Sequence, residues 1–378
     1  MTQLSFVFLG LSITSSWGNG HATTYRALLR ELARRGHSVR FLERDLPYYA
    51  ENRDLPNPPY ARTELYESVA ELKDRFAQVV READVVIVGS YVPDGIEVSK
   101  WVLETARGVK MFYDIDTPVT LRKLEVGGAQ YLAPNQIPKF DVYLSFTGGP
   151  TLARLARRFG ARSARALYCS VDADSYFPEA HENRWDMGYL GTYSDDRQPA
   201  LEELMFEPAR ALPNARFVVA GPQYPEDTAF PENVQHIHHL SPAEHRAFYN
   251  SQRYTLNLTR ADMVAAGFSP SVRLFEAAAC GAPIISDVWP GIECFFQPDQ
   301  EIVLARSARD VSEALASLPE ERRLALGERA RRRVLLEHTA VHRAETLEQY
   351  VLDVERSLRK GSFRRSQSAV DLPSSEPR

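Results

Sequence analysis

Cysteine is scarce in this chain. Cys169, Cys280 and Cys294 are the only three, and their spacing offers neither a disulfide framework nor a paired metal-ligand motif. Long apolar runs are also missing, since no segment approaches the roughly 18 consecutive apolar residues of a membrane helix. The apolar start, Leu4 to Ile13, has no basic residue before it, the first being Arg26, so it reads as a buried first strand rather than a signal peptide. Surplus charge is absent too. A formal net charge of −5 over 378 residues gives no global field for nucleic acid, and no nucleic-acid-reading motif appears. These absences point to a chain of the reducing cytoplasm, with neither nucleic acid nor an integral membrane segment among its expected partners. No Walker loop, G-x-S-x-G elbow or H-E-x-x-H helix is found.

What is present is an ordinary globular composition, 44% hydrophobic and 25% charged, long enough for two domains with separate cores. Short apolar runs alternate with helical patterns. The first half reads as strand Leu4–Leu9, helix His21–Arg35, strand Ser38–Glu43, a long helix from about Thr63 to Ala83, strand Val85–Gly89, helix Asp94–Arg107 and strand Val109–Asp114. Strand Val142–Ser145, a helix opening near Pro150 and strand Ala166–Cys169 complete it. Polar residues at 171–184 read as a linker. The pattern restarts with Met187–Leu190, a helix from about Arg197 to Ala211, and strands Phe217–Ala220, Val234–His238, Tyr254–Leu258 and Pro283–Asp287. Strands apolar throughout and separated by helices imply parallel sheets covered on both faces, with ligands at the strand carboxyl ends. The expected division is 1–170, a linker at 171–184, 185–340, a helix over 341–360, and a tail over 361–378 that lacks a packing face and is expected to be disordered.

The stretch Ser269 to Asp287, SPSVRLFEAAACGAPIISD, organises the second half. Ser271 can cap a helix that Gly281 and Pro283 end. Arg273 and Glu276 lie three apart near its start, where free N–H groups and the helix dipole favour an anion. A cation and a carboxylate beside such an end suit a ligand with phosphates and a diol. The run R-L-F-E-A-A-A-C-G-A-P-I-I resembles the donor helix of GT-B glycosyltransferases, and most closely their CgeB-like, spore-maturation-type branch. The resemblance implies that Glu276 takes ribose hydroxyls. Where the better-known retaining pattern carries another Glu, this chain has Phe268, so the sugar contacts and the stereochemistry stay open.

The same resemblance extends to Gly18-Asn19-Gly20-His21 and the turn Gly36-His37-Ser38-Val39, and to the Trp289–Glu293 segment. It implies the GT-B fold, an α/β architecture of two doubly wound Rossmann-like domains facing across a cleft, closed by C-terminal helices. The glycine loop with His21 then faces the cleft from the acceptor side. Read without the family, G-N-G-H with Glu43 imitates a dinucleotide fingerprint, but Thr23 stands at the third glycine position.

Asp114-Ile115-Asp116-Thr117-Pro118 ends a strand. D-x-D invites comparison with a metal-binding carboxylate pair, but Asp116, past the strand end, is the expected cleft-facing acceptor contact or base, and Asp114, though counted in the acceptor-side loop, reads as structural. A plain turn before Pro118 is the alternative. In Gly191-Thr192-Tyr193-Ser194-Asp195-Asp196-Arg197, glycine allows close approach, Ser194 or Asp195 can cap, and Arg197 is the expected diphosphate cation. Arg260, after strand Tyr254–Leu258, is a second cation or a surface ion-pair partner. Gly221, His239 and Ser269 complete the expected donor side. His236, His238 and His239 lack a carboxylate or cysteine at fixed spacing, which favours base stacking or a solvated loop over zinc. His338 and His342 read as surface residues.

The expectation is thus a metal-independent glycosyltransferase. Its donor is a nucleotide diphosphate sugar, UDP favoured, which is a substrate rather than a cofactor, and its acceptor is unidentified. A sugar-nucleotide epimerase or hydrolase on the same fold, or a non-catalytic nucleotide-binding protein, are the rivals.

Overall fold

The computed structural model describes residues 3–370. Seven strands form the first sheet: β1 (Ser5–Gly10), β2 (Ser38–Arg44), β3 (Arg62–Tyr66), β4 (Val85–Gly89), β5 (Val109–Asp114), β6 (Val142–Ser145) and β7 (Ala164–Ala166). Their order is β3-β2-β1-β4-β5-β6-β7, parallel throughout. Six strands form the second: β8 (Trp185–Leu190), β9 (Phe217–Ala220), β10 (Val234–Ile237), β11 (Gln252–Asn257), β12 (Ile284–Ser286) and β13 (Val303–Leu304). Their order is β10-β9-β8-β11-β12-β13, again parallel. The strand order reverses between β1 and β4 in one sheet and between β8 and β11 in the other. Such switch points open a crevice at the strand carboxyl ends.

The pleat divides β1 between two cores. Phe6 and Phe8 pack with Tyr25 and Leu28 of the helix His21–Arg34, whereas Val7 and Leu9 face Leu72 and Val80 of the helix Val69–Glu82. All five residues of β4 are buried, as a central parallel strand requires.

Two expected helices need correcting. The helix drawn from Thr63 to Ala83 is an edge strand, β3, followed by a helix that begins only after Ser68, whose side chain accepts from the Glu71 N–H. Arg62–Tyr66 alternates weakly and is mostly half-buried, so it lacks the apolar signature of its neighbours. The expected helix from Arg197 to Ala211 starts at Gln198 and is interrupted by a π turn, Glu202–Phe206, and neither Ser194 nor Asp195 caps it. Ser194 instead donates to Asp196.

The last helix, Ala340–Val370, leaves the second sheet and returns to the first, lying against His21–Arg34. Leu347 and Val351 are fully buried there, each worth roughly 1.5–3 kcal/mol. Glu348 receives Arg35 Nε at 2.6 Å and Nη2 at 2.8 Å, with His37 Nε2 at 2.7 Å. Tyr350 Oη donates to Ala166 O at 2.9 Å. The two crossings of the chain between sheets touch: Val171 N–H donates to His338 O at 3.3 Å, and Ala340 N–H to Val171 O at 2.9 Å. His338, expected on the surface, is buried against Phe275 and accepts from Arg343 at 2.9 Å. Burial first, and then the Arg343 charge, pushes its pKa down to about 3. The final helix takes in the first part of the tail expected to be disordered, and the rest of that tail lies outside the described residues.

Candidate functional site

A cleft of about 720 Å³ lies where the carboxyl ends of the two sheets face each other. From the second sheet it is lined by Gly191, Thr192, Tyr193 and Arg197 after β8, Gly221 after β9, and His239 after β10. Arg260 follows β11, and Ser269, Ser271, Arg273 and Glu276 come from the helix Val272–Ala279 and the loop before it. From the first sheet come Gly18, Asn19, Gly20 and His21 after β1, and Asp116 after β5. The expected residues are thus brought together, with one exception. Asp114 is fully buried and does not line the cleft.

The glycines have a steric reason. Gly221 has φ +150, and a Cβ there would lie 2.1 Å from Gly191 O, so the two loops pass backbone against backbone. Asn19 holds the first loop by donating from Nδ2 to Ser12 O at 3.0 Å and Ser15 O at 3.2 Å, and it accepts from the His21 N–H at 3.1 Å. Glu43 shapes that loop from beneath, accepting from Ser12 Oγ and from the N–H groups of Ile13 and Thr14. Its carboxylate is spent on the loop. That removes the dinucleotide reading, which needs it on a ribose.

On the donor side, Ser271 occupies the cap position but does not cap. Its hydroxyl donates to Asn257 Oδ1 at 2.7 Å, and the helix has no side-chain cap. The first-turn N–H groups are therefore not covered by that hydroxyl, and the helix start keeps its pull on an anion. Arg273 is buried and committed: Nε donates to Leu190 O at 2.5 Å, Nη1 to Asn257 Oδ1 at 3.0 Å, and the guanidinium lies over the Tyr189 ring. It fastens the ends of β8 and β11 to the helix while bordering the cleft. Glu276 is 3% exposed, and its Oε2 accepts from Tyr249 Oη at 3.0 Å.

Two further cations flank the space in front of that helix. Arg197 donates from Nη2 to Thr192 O at 2.7 Å, and its buried Nε has no hydrogen-bond partner among the described residues. Arg260 lies between the domains, with Nε 3.2 Å from Asp196 Oδ2 and Nη1 3.7 Å from Asp116 Oδ2. It is a cleft residue, not a surface ion-pair partner.

Across the cleft, His21 Nε2 stands 3.8 Å from Asp116 Oδ2, and Tyr91 meets the His21 ring edge-on at 5.4 Å. Burial opposes ionisation of Asp116, but hydrogen bonding and charge from His21, with Arg260 and Tyr91, outweigh it and hold the carboxyl below its usual range. Asp114 experiences the reverse. Burial raises its pKa to about 6, against the hydrogen bonds it accepts from Tyr143 Oη at 2.5 Å and Thr120 Oγ1 at 2.8 Å. The two carboxylates therefore do not form a pair facing one ligand. Of the three histidines, His236 stacks on Phe230 and contacts Gly221 O, while His239 packs on Trp17 at 4.3 Å across the cleft.

Sequence reasoning missed Tyr91, His245 and Tyr249, which all line the cleft. Tyr91 carries φ +62, a strained value for a residue with a side chain, and nothing local in the sequence announces it. His245 and Tyr249 lie four apart on the helix Pro242–Asn250, a spacing that signals a shared face.

Residues 197–349 match a family described as glycosyl transferase-like. No curated protein sequence matches the chain. Among solved structures, the sucrose-phosphate synthase of Thermosynechococcus elongatus is similar at TM-score 0.65 and 14% identity, over 98% of this chain and 100% of that one. Anabaena Alr3699/HepE in complex with UDP-glucose is similar at TM-score 0.68 and 11% identity, over 93% and 100%. An alpha-glucosyltransferase in complex with UDP and a 13-mer DNA is similar at TM-score 0.69 and 12% identity, also over 93% and 100%. Likeness at these identities establishes architecture: the chain has the GT-B fold of two Rossmann-like domains with a helical C-terminus.

Proposed function

We propose that this chain is a glycosyltransferase of the CgeB-like type, moving a hexosyl or related group from a UDP-sugar to an acceptor hydroxyl or amine without a metal ion or other cofactor. The observation that carries the reading is the single cleft in which Glu276, an uncapped helix start, Arg197 and Arg260 face His21 and Asp116 of the other domain. Glu276 is placed to accept from a ribose diol. The helix start and the two arginines are placed to meet a diphosphate whose negative charge grows as the bond between the anomeric carbon and its phosphate oxygen breaks. The new bond forms from the acceptor heteroatom to that carbon. In an inverting reaction the acceptor proton passes to His21 or Asp116, which stand 3.8 Å apart on the acceptor side. In a retaining one it leaves with the departing phosphate, and His21 and Asp116 position the acceptor.

UDP is favoured because similar structures are complexes with UDP or UDP-glucose. Metal independence is favoured because Asp114 points into the core, so D-x-D presents one carboxylate to the cleft. One similar enzyme is in complex with DNA, but the net charge of −5 here supports a non-nucleic-acid acceptor. Three free cysteines support work in a reducing compartment, the cytoplasm.

The test is a panel of nucleotide sugars scored for binding and for nucleotide release, with products analysed with and without acceptors. UDP should bind, and Glu276→Ala should weaken it about 10- to 150-fold, the loss of one charge-assisted hydrogen bond of roughly 1.5–3 kcal/mol. Turnover should survive a chelator. Release of free sugar or an epimer without acceptor would replace transfer by hydrolysis or epimerisation, and loss with EDTA restored by manganese would end metal independence.

A further inference from the structure

Behind Glu276 lies a buried cluster that the proposed chemistry does not itself use. Tyr249 is fully buried and donates to Glu276 Oε2 at 3.0 Å. His245 Nδ1 lies 3.9 Å from the same oxygen. The histidine's tautomer is fixed by its partners: Nε2 faces Leu240 O at 3.3 Å, a carbonyl that can only accept, so Nε2 carries the proton. Nδ1 then faces Tyr176 Oη at 3.2 Å, a hydroxyl that also hydrogen-bonds Glu276. His245 is thus neutral, and burial keeps it so. What faces Glu276 from the helix Pro242–Asn250 is one hydroxyl donor and one neutral ring.

Resting on the reading of Glu276 as the ribose contact, we propose that Tyr249 is a positioning residue that sets donor specificity for ribonucleotides, with His245 as its support. Tyr249 occupies Oε2 and fixes the plane of the carboxylate. The acceptor capacity that Tyr249 and Tyr176 leave on Glu276 is thereby aimed at the diol of a ribose in the cleft, so that a ligand lacking one hydroxyl leaves a buried acceptor unpaired. A side chain merely filling space would affect ribo- and deoxyribonucleotides alike. A positioning residue changes their ratio.

The experiment measures binding of UDP and 2′-deoxy-UDP by calorimetry to the wild type, Tyr249→Phe, His245→Ala, Glu276→Gln and the Tyr249→Phe/Glu276→Gln double variant. The ratio of the two affinities is read within each folded protein, so a loss of stability does not mimic the effect. The wild type should prefer UDP by about tenfold or more. Tyr249→Phe should cut that preference to about threefold or less and raise donor KM more than it lowers kcat. His245→Ala should shift the ratio in the same direction by less. The double variant should be no worse than Glu276→Gln alone, since both act through one carboxylate. An unchanged ratio in Tyr249→Phe, or additive losses in the double variant, overturns the proposal while leaving the donor site intact. Failure of the wild type to bind UDP, GDP or ADP overturns the donor site and this role together.

Discussion

Asp114 and Asp116 are two residues apart, and their surroundings drive them in opposite directions. An acid whose pKa is raised by folding holds its proton more tightly in the native state. Its contribution to stability is therefore complete below the ordinary aspartate value and is lost as pH rises to about 6. Asparagine at 114 cannot titrate. The free-energy gap between wild type and Asp114→Asn should consequently shift against the wild type by about 2–3 kcal/mol between about pH 3.5 and about pH 7. Urea melts at the two pH values check it, and a constant gap would mean an ordinary, solvated carboxyl. Arg197 is tested by rate rather than stability. Its unpartnered Nε and its place beside the helix start put it where charge develops. Arg197→Ala should lower the single-turnover rate at saturating donor about a hundredfold, with a smaller effect on donor KM, and Arg197→Lys should recover part of it. An unchanged chemical rate removes it from the site.

Elements were legible where burial leaves a simple mark. β1, β4 and β9 are apolar through most or all of their length because helices cover both faces, and their sequences say so directly. β3 was not legible. As an edge strand it carries Arg62, Thr63 and Glu64, which suit a helix as readily. The missed signal was Ser68 followed by Glu71, an N-cap inside the expected helix. Ser68→Ala should cost about 1 kcal/mol in chemical denaturation, because the Glu71 N–H loses its acceptor. No loss would mean that water replaces the cap. The site divides similarly. Residues at strand ends, such as Arg197 and Asp116, could be found from turns and glycines. Ser271 was assigned to its own helix, but Asn257, fourteen residues earlier, captures its hydroxyl. Tyr249 and His245 owe their role to two helices meeting, and no local pattern encodes that.

At the scale of the molecule, Glu348 is the tie between the last helix and the first domain. It is 5% exposed and receives Arg35 and His37. The Arg35 hydrogen bond, outweighing burial, keeps its pKa below the ordinary glutamate range. Its contribution is present above that range and lost on acidification through it. Glu348→Ala removes the acceptor shared by Arg35 and the buried His37, leaving Arg35 its exposed partner Glu345, and should destabilise the protein by about 1.5–3 kcal/mol at neutral pH, read from urea melts. A change under about 1 kcal/mol would show the tie to be dispensable.

The returning helix also sets an order of events during synthesis. A ribosome finishes the first sheet some 170 residues before it makes Ala340–Val370. Until then the face of His21–Arg34 that Leu347 and Val351 will cover stays open to water, and Arg35 waits for its carboxylate. The amino-terminal half is thus first to be translated and last to be completed. A premature stop before Leu347 damages the opposite end of the chain.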